Sequence, residues 1–261
     1  MALSLSRIMA NIGGPGEGRR RLYTTAVMAV IMYGPPIWAR TVMDSRSTLR
    51  DVGRLQRQLA LRVIRGYRTV SHDAAAILAR MVPFDLACNK LRRSYLHRRE
   101  IIARDGAISP RTRDAFLEVE RRRSIAMWRE RLLGLPSSGP GAIVRDAIVE
   151  DLEVWVDREH GALTYRVTQI LTGHGVFEAY LCRIGRRTSP TCLYCRAATD
   201  TAVHTLLFCP AWAEQRGDLL QIVGIDRTYK AVVRAIIRSN EVWALFMNLC
   251  ETIMRKKEED E

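Results

Sequence analysis

The chain has 261 residues, 48% of them hydrophobic, and a formal net charge of +13. That length can bury a substantial core in one or two domains, and the composition is ordinary for a globular protein. Six cysteines in so long a chain exclude a disulfide scaffold and favour a reducing compartment, nuclear or cytoplasmic. Of the 41 basic side chains 37 are arginines, whose planar fork suits phosphate contacts and base stacking. This composition favours nucleic-acid binding, and the alternative is a basic helical surface that is merely solvated.

Residues 1–44 are predicted to form a helix, a glycine-rich turn and a second, largely buried helix from Arg19 to Met32. Gly34-Pro35-Pro36 should end that second helix. The apolar run Leu22–Tyr33 follows three arginines, as the core of a signal peptide would. It starts too deep in the chain for that role and is too short to span a membrane. We therefore predict no membrane association.

Residues 45–135 are predicted to be helical and dense in arginine. Ser45 or Ser47 should cap the first helix and Gly66 should end it, while Ser71 should cap a short helix running to Met81. Two longer helices are predicted over residues 85–103 and 111–133. The arginines that point away from the apolar rows are candidates for nucleic-acid binding: Arg54, Arg57, Arg62, Arg65, Arg92, Arg93, Arg98, Arg99, Arg121, Arg122 and Arg123.

The charge is concentrated in this middle segment. Residues 1–44 carry +3, residues 45–135 carry +12 and residues 136–261 carry −2. The electrostatic part of the affinity for nucleic acid grows with the number of phosphates that the basic side chains neutralise. The middle helices are therefore predicted to supply most of this affinity.

Residues 135–141, Leu-Pro-Ser-Ser-Gly-Pro-Gly, are the clearest break in the chain and predict a linker or long turn. Beyond it we predict helices over residues 142–158, 164–171, 177–184, 211–223, 228–238 and 241–256. The mixed-charge end, Arg255–Glu261, is predicted to fray. His174 stands in a Gly-His-Gly turn, where a turn or capping role is favoured over a catalytic one because no acid and nucleophile accompany it.

Four residues have the spacing of a metal site. Cys192, Cys195, His204 and Cys209 follow the pattern C-x2-C-x8-H-x4-C. Three thiolates and one imidazole form a closed tetrahedral set, which is typical of structural zinc. The alternative is a pair of redox or buried cysteines beside an unrelated pair. Tyr194, between the first two ligands, is a candidate for stacking on an unpaired base, although packing inside the small module is favoured.

Several short motifs carry a resemblance to a known family. Leu171-Thr172-Gly173-His174-Gly175 precedes the Cys-Cys-His-Cys set, and Tyr33–Ala39, Gln56-Arg57 and Tyr67–Ser71 stand upstream. Together they resemble the C-terminal part of reverse transcriptases from insect non-LTR retrotransposons, of the type-1 class that inserts into ribosomal DNA. The resemblance implies a polyprotein with RNA-directed DNA polymerase and endonuclease activities, acting in target-primed reverse transcription.

The resemblance also implies an organisation and partners. Residues 1–44 would end the polymerase thumb, 45–135 would be an arginine-rich helical linker, and 136–261 would be a helical unit with the zinc module at 192–209. The partners implied are RNA, DNA or both, and the rest of the polyprotein. The predicted fold is all-α.

The sequence contains no evident polymerase or nuclease active site. No aspartate pair stands in a hydrophobic strand setting, and no lysine accompanies a carboxylate cluster. The chain itself is therefore not expected to extend a primer. The competing hypothesis is a protein-interaction module in which zinc holds helices together without nucleic-acid contact.

Overall fold

The computed structural model describes residues 9–261, and within that range it contains helices and no strand, so the all-α prediction is confirmed. Part of the first predicted helix, residues 1–8, lies outside the described residues. The helices are α1 Glu17–Ile31, α2 Pro35–Asp44, α3 Arg46–Ile64, α4 His72–Leu78, α5 Phe84–Asp105, α6 Pro110–Leu133, α7 Ala142–Ile148, α8 Leu152–Asp157, α9 Tyr165–Thr172, α10 Glu178–Arg183, α11 Gly217–Val223, α12 Tyr229–Arg238 and α13 Asn240–Glu259.

Hydroxyl caps determine where many of these helices begin. Ser45 accepts from the backbone N–H of Thr48 and Ser71 from that of Ala74, both at 3.3 Å, as the sequence predicts. The predicted C-cap of α3 is wrong by one residue. Arg65 takes the left-handed conformation, at φ 56°, and Gly66 follows it with its N–H bonded to the Leu61 carbonyl at 2.9 Å.

Three other local predictions are wrong because tertiary contacts override helical periodicity. The predicted helix over 142–158 breaks at the 3-10 turn Val149–Asp151, where the Val149 carbonyl accepts from Arg129 of α6 at 3.2 Å. The predicted helix over 211–223 is a 3-10 turn at Pro210–Trp212 followed by α11, with Arg216 buried between them. The C-terminal end does not fray, because α13 runs to Glu259 and its Lys257 is buried.

One continuous core joins α3, α4 and α6 to the helices that follow residue 136. Trp128, Trp155 and Phe246 are among its largest fully buried side chains, and the Trp155 Nε1–H donates to the Ile77 carbonyl at 2.7 Å. A second, smaller cluster lies between α1, α2, α3 and α5. The predicted division at residue 136 stays a prediction, although helices on both sides of it share the larger core.

The far ends of α5 and α6 form an exposed arm. Between Asn89 and Val119 the only buried residue is Ile101. The His97 ring stacks on Phe116 across the two helices, with the ring centroids 3.9 Å apart. The arm therefore presents most of its side chains to solvent.

In the stretch from Met9 to Glu261, no single helix is long and apolar enough to cross a membrane. Taken together, α1 and α2 reach the required length and composition, but they are bent by 84°.

Candidate metal centre and arginine surface

A tight turn positions the first two predicted metal ligands. The Cys192 N–H donates to the Ala197 carbonyl at 2.9 Å, and the Arg196 N–H donates to the Cys192 carbonyl at 3.0 Å. Arg196 closes the turn in the left-handed region, at φ 63°. Cys192 and Cys195 thereby turn their sulfur atoms to the same side.

A π-helical turn positions the other two ligands. In an α-helix, residues five positions apart point about 140° away from each other. Residues His204–Phe208 instead form a wider turn, in which the Cys209 N–H donates to the His204 carbonyl at 2.8 Å. His204 and Cys209 are therefore aligned on one side of the backbone, which a regular α-helix over these residues would not achieve.

The four ligand atoms meet in one place. The Sγ atoms of Cys192 and Cys209 are 3.9 Å apart, Cys195 Sγ is 3.3 Å from His204 Nε2, and all four atoms lie within 4.8 Å of one another. Zn–S bonds of about 2.3 Å at tetrahedral angles hold sulfur atoms about 3.8 Å apart. The donor set and its spacing therefore fit a tetrahedral metal ion.

The environments of the cysteines also favour a cation. Burial is the main cause that raises the pKa of Cys209 to about 12, whereas the backbone N–H of Ala197 lowers the pKa of Cys195 below its usual value. A buried thiolate at Cys209 needs a positive partner, which a metal ion would supply. Cys88, Cys182 and Cys250 are free thiols outside this cluster.

A buried ion pair, which the sequence analysis missed, connects the cluster to the C-terminal helix. Lys257 Nζ lies 2.7 Å from Asp200 Oδ2, with side-chain exposures of 4% and 1%. Asp200 also accepts from the Glu178 N–H at 3.1 Å and from Thr205 Oγ1, in the π-helical turn, at 2.9 Å. Lys257 extends the apolar row of Cys250, Ile253 and Met254 on α13. A lysine in such a row is the sequence feature that could have indicated a buried charge.

Tyr194 packs against the module. Its hydroxyl donates to Asp260 Oδ2 at 2.8 Å, and its ring lies 4.8 Å from the ring of Trp212. Arg216, also absent from the predicted set, donates to the carbonyls of Thr205 and Cys209. These contacts anchor both ligand turns to their surroundings.

The eleven predicted arginines differ in how they are engaged. Arg57 and Arg65 donate to backbone carbonyls, of Val70 and Arg68 for the first and of Pro15 for the second. Those with carboxylate partners are Arg54, Arg93, Arg121, Arg122 and Arg123. Those with no ion pair or side-chain hydrogen bond to any residue from 9 to 261 are Arg62, Arg92, Arg98 and Arg99.

Three of these four unpaired arginines lie on the exposed arm, on the same stretch of α5 as an exposed tyrosine. Positions 92, 95 and 99 follow helical spacing, so Arg92, Tyr95 and Arg99 share one face of α5, with Arg98 beside them. Tyr95 is 44% exposed, and the Arg99 guanidinium lies 5.9 Å from its ring centroid. We call Arg92, Tyr95, Arg98 and Arg99 the arm surface.

Sequence comparison relates the chain to proteins of retrotransposable elements. It is 28% identical over 206 residues to the retrovirus-related Pol polyprotein from type-1 retrotransposable element R1 4 of Nasonia vitripennis, which covers 76% of the chain. It is 28% identical over 232 residues, 86% of the chain, to a putative 115 kDa protein in type-1 retrotransposable element R1DM of Drosophila melanogaster. With the corresponding R1 polyprotein of Bradysia coprophila it shares 26% identity over 209 residues, 77% of the chain.

The matched stretches are parts of longer proteins. They cover 50% of the Nasonia protein, 22% of the Drosophila protein and 20% of the Bradysia protein. No protein-family model matches the chain, and no solved structure matches it. With relatives of one kind covering most of its length, the chain is homologous to part of the Pol polyproteins of R1-type retrotransposable elements.

Proposed function

We propose that the chain is a nucleic-acid-binding part of an R1-type polyprotein that acts in target-primed reverse transcription. The observation that carries the proposal is the arm surface, where three arginines with no carboxylate partner among residues 9–261 share a stretch of α5 with an exposed tyrosine. Each free guanidinium can donate two hydrogen bonds to a phosphate, and the tyrosine ring offers a face for a base. The polymerase and endonuclease activities are proposed for the polyprotein as a whole and not for this chain alone.

The test is a titration of the chain against duplex DNA and single-stranded RNA at several salt concentrations. Binding through phosphates releases counterions, so the affinity should fall linearly on logarithmic axes as salt rises. If about three to six arginines engage duplex phosphates, the slope should lie between about −3 and −5. No detectable binding at low salt would refute the proposal.

A second candidate function is supported by a different surface. Leu22, Val30, Tyr33 and Ile37 on and between α1 and α2 are 67–90% exposed. Apolar side chains grouped in this way often mark contacts with other proteins. They support a protein-interaction role, either with other parts of the polyprotein or as the main role of a zinc-stapled module. The absence of nucleic-acid binding in the titration would favour this second function.

We also propose that the metal cluster holds structural zinc. Four protein ligands leave no coordination position for water, so catalysis at the metal is not expected. The ion would join the turn at Cys192–Cys195 to the π-helical turn at His204–Phe208 and so stabilise the surface that both turns build.

The zinc proposal predicts about one zinc per chain in elemental analysis of the purified protein. Cys195→Ser should lose most of that zinc, because it removes one of the four ligands. The matched control is Cys182→Ser, a free cysteine outside the cluster, which should retain the metal. Full zinc occupancy in Cys195→Ser, or equal loss in both variants, would contradict the assignment.

A further inference from the structure

A cavity of about 520 Å³ lies where four separate segments of the chain meet. Its lining includes Gly139–Ala142 from the glycine-rich break, Gly173 and His174 from the Leu-Thr-Gly-His-Gly motif, and Thr201 and Ala202 from between the metal ligands. Gly141 is required at this position, because a Cβ there would lie 2.1 Å from Ser71 Oγ. The metal module therefore forms one wall of the cavity, which we call the His174 cavity.

A hydrogen-bonded chain with a defined direction lines the cavity. Arg183 Nη2 is 3.4 Å from His174 Nε2, His174 Nδ1 is 2.9 Å from Thr69 Oγ1, and Thr69 Oγ1 is 2.8 Å from the Tyr180 hydroxyl. Because a guanidinium can only donate, His174 Nε2 accepts and its proton sits on Nδ1. Burial first, and then the charge of Arg183, lower the pKa of His174 to about 4, which agrees with a neutral ring.

In this arrangement one of the two hydroxyl groups, of Thr69 or Tyr180, keeps a hydrogen that is not used in a hydrogen bond to a described residue. The His174 Nδ1–H donates to Thr69 Oγ1, and a single hydroxyl hydrogen makes the bond between Thr69 and Tyr180. The hydrogen of the other hydroxyl has no acceptor among the described residues. An occupant that supplies an oxygen acceptor would therefore complete the chain.

Charge and shape restrict the occupant further. Among residues 9–261, Arg183 is the only charged residue that lines the cavity, it is exposed, and no carboxylate lines the cavity beside it. The cavity should therefore attract an anion. The Arg183 guanidinium lies 5.1 Å from the Tyr180 ring centroid, and the His174 ring lies 4.9 Å from the same ring. Ile143 and Ile184 add apolar walls. Guanidinium and aromatic planes of this kind stack on unpaired bases.

We propose that the His174 cavity receives one unpaired nucleotide of a nucleic-acid strand. The phosphate contacts Arg183, the base lies against the layer formed by His174, Tyr180 and Arg183, and a base carbonyl accepts the remaining hydroxyl hydrogen. The volume is within the range of small-ligand sites. A paired base inside a duplex cannot enter, so the cavity favours single strands over duplexes. This inference rests on the nucleic-acid-binding function proposed above.

The test compares single-stranded RNA of about 12 nucleotides with a blunt duplex of the same length. Arg183→Gln should weaken single-strand binding about tenfold, and duplex binding no more than about twofold, because one stacked, charge-assisted contact is lost. The matched control is Arg186→Gln, which removes the same charge three residues away, where Arg186 is exposed and faces Glu261. It should leave the single-strand preference unchanged. Equal zinc content in both variants and the parent verifies folding.

The outcomes separate the two proposals. If the parent chain binds neither nucleic acid, both the proposed function and this inference are overturned. If the parent binds single strands but Arg183→Gln and Arg186→Gln behave alike, only the cavity assignment fails.

A second measurement needs no variant. Ultraviolet cross-linking of the parent to the RNA, followed by trypsin digestion, should place cross-links in the peptide Val167–Arg183, which contains both His174 and Tyr180. Cross-links confined to other peptides would overturn the assignment.

Discussion

Replacing Arg92, Arg98 and Arg99 together by glutamine should flatten the slope of log K against log[salt] on duplex DNA by about two to three units. Replacing Arg121, Arg122 and Arg123 together should flatten it by less than about one unit. Both triple variants remove three charges from the same helical hairpin. The difference arises because the first three guanidinium groups have no carboxylate partner among residues 9–261, whereas the second three do.

Carboxylates of the protein already neutralise the charges of Arg121, Arg122 and Arg123. Arg121 lies 2.7 Å from Glu118, 3.4 Å from Glu153 and 2.7 Å from Asp157, and Arg122 lies 2.7 Å from Glu118. Hydrogen bonds from Arg121 and Arg122 are the main cause that lowers the pKa of Glu118 to about 2. A phosphate approaching these arginines meets their carboxylate partners as well, so fewer counterions are released.

The measurement is a titration of both triple variants and the parent against one duplex at several salt concentrations. Melting temperatures of the three proteins control for folding. Equal flattening by the two triple variants would show that the ion pairs do not decide which arginines bind phosphate. A larger effect from Arg121, Arg122 and Arg123 would contradict the assignment of the arm surface.

Lys257→Ala should lower the free energy of unfolding by about 3 to 5 kcal/mol, because it leaves the Asp200 carboxylate buried without its charge partner. Lys257 Nζ also lies 5.5 Å from the Phe177 ring and 5.2 Å from the Tyr194 ring, and these contacts would be lost as well. The matched control is Lys256→Ala, the preceding residue, which is exposed and pairs with Asp260 at 2.8 Å. Surface pairs contribute about 0 to 1 kcal/mol, so the control should lie within that range.

Urea unfolding of the zinc-loaded proteins measures both effects. A further variant separates the charge effect from lost packing. Lys257→Met keeps most of the side-chain volume but leaves Asp200 charged, and adding Asp200→Asn to it removes that charge. The double variant should therefore be more stable than Lys257→Met alone. A double variant that is less stable, or a Lys256→Ala loss equal to that of Lys257→Ala, would contradict the role of the buried pair.

The C-terminal helix shows how far local reasoning extends. The periodic apolar row on α13 was visible in the sequence, and the helix formed where that row predicts it. The predicted fraying at Arg255–Glu261 was wrong because residues far away in sequence hold this end. Glu258 pairs with Arg166 at 2.7 Å, Lys257 with Asp200 at 2.7 Å, and Tyr194 donates to Asp260. A charge-rich end looks solvated until its partners are known.

The sequence by itself determined the helical fold and the grouping of Cys192, Cys195, His204 and Cys209. Helix caps, apolar periodicity and ligand spacing are local features that can be read from neighbouring positions in the sequence. Only the tertiary structure decided which arginines are free. Arg121 meets Asp157 36 positions away and Arg93 meets Glu120 27 positions away, and neither pairing follows from local spacing. The His174 cavity likewise depends on contacts such as Thr69 to His174, 105 positions apart. Helix formation is mainly local, whereas charge neutralisation and cavities are set by how the helices pack.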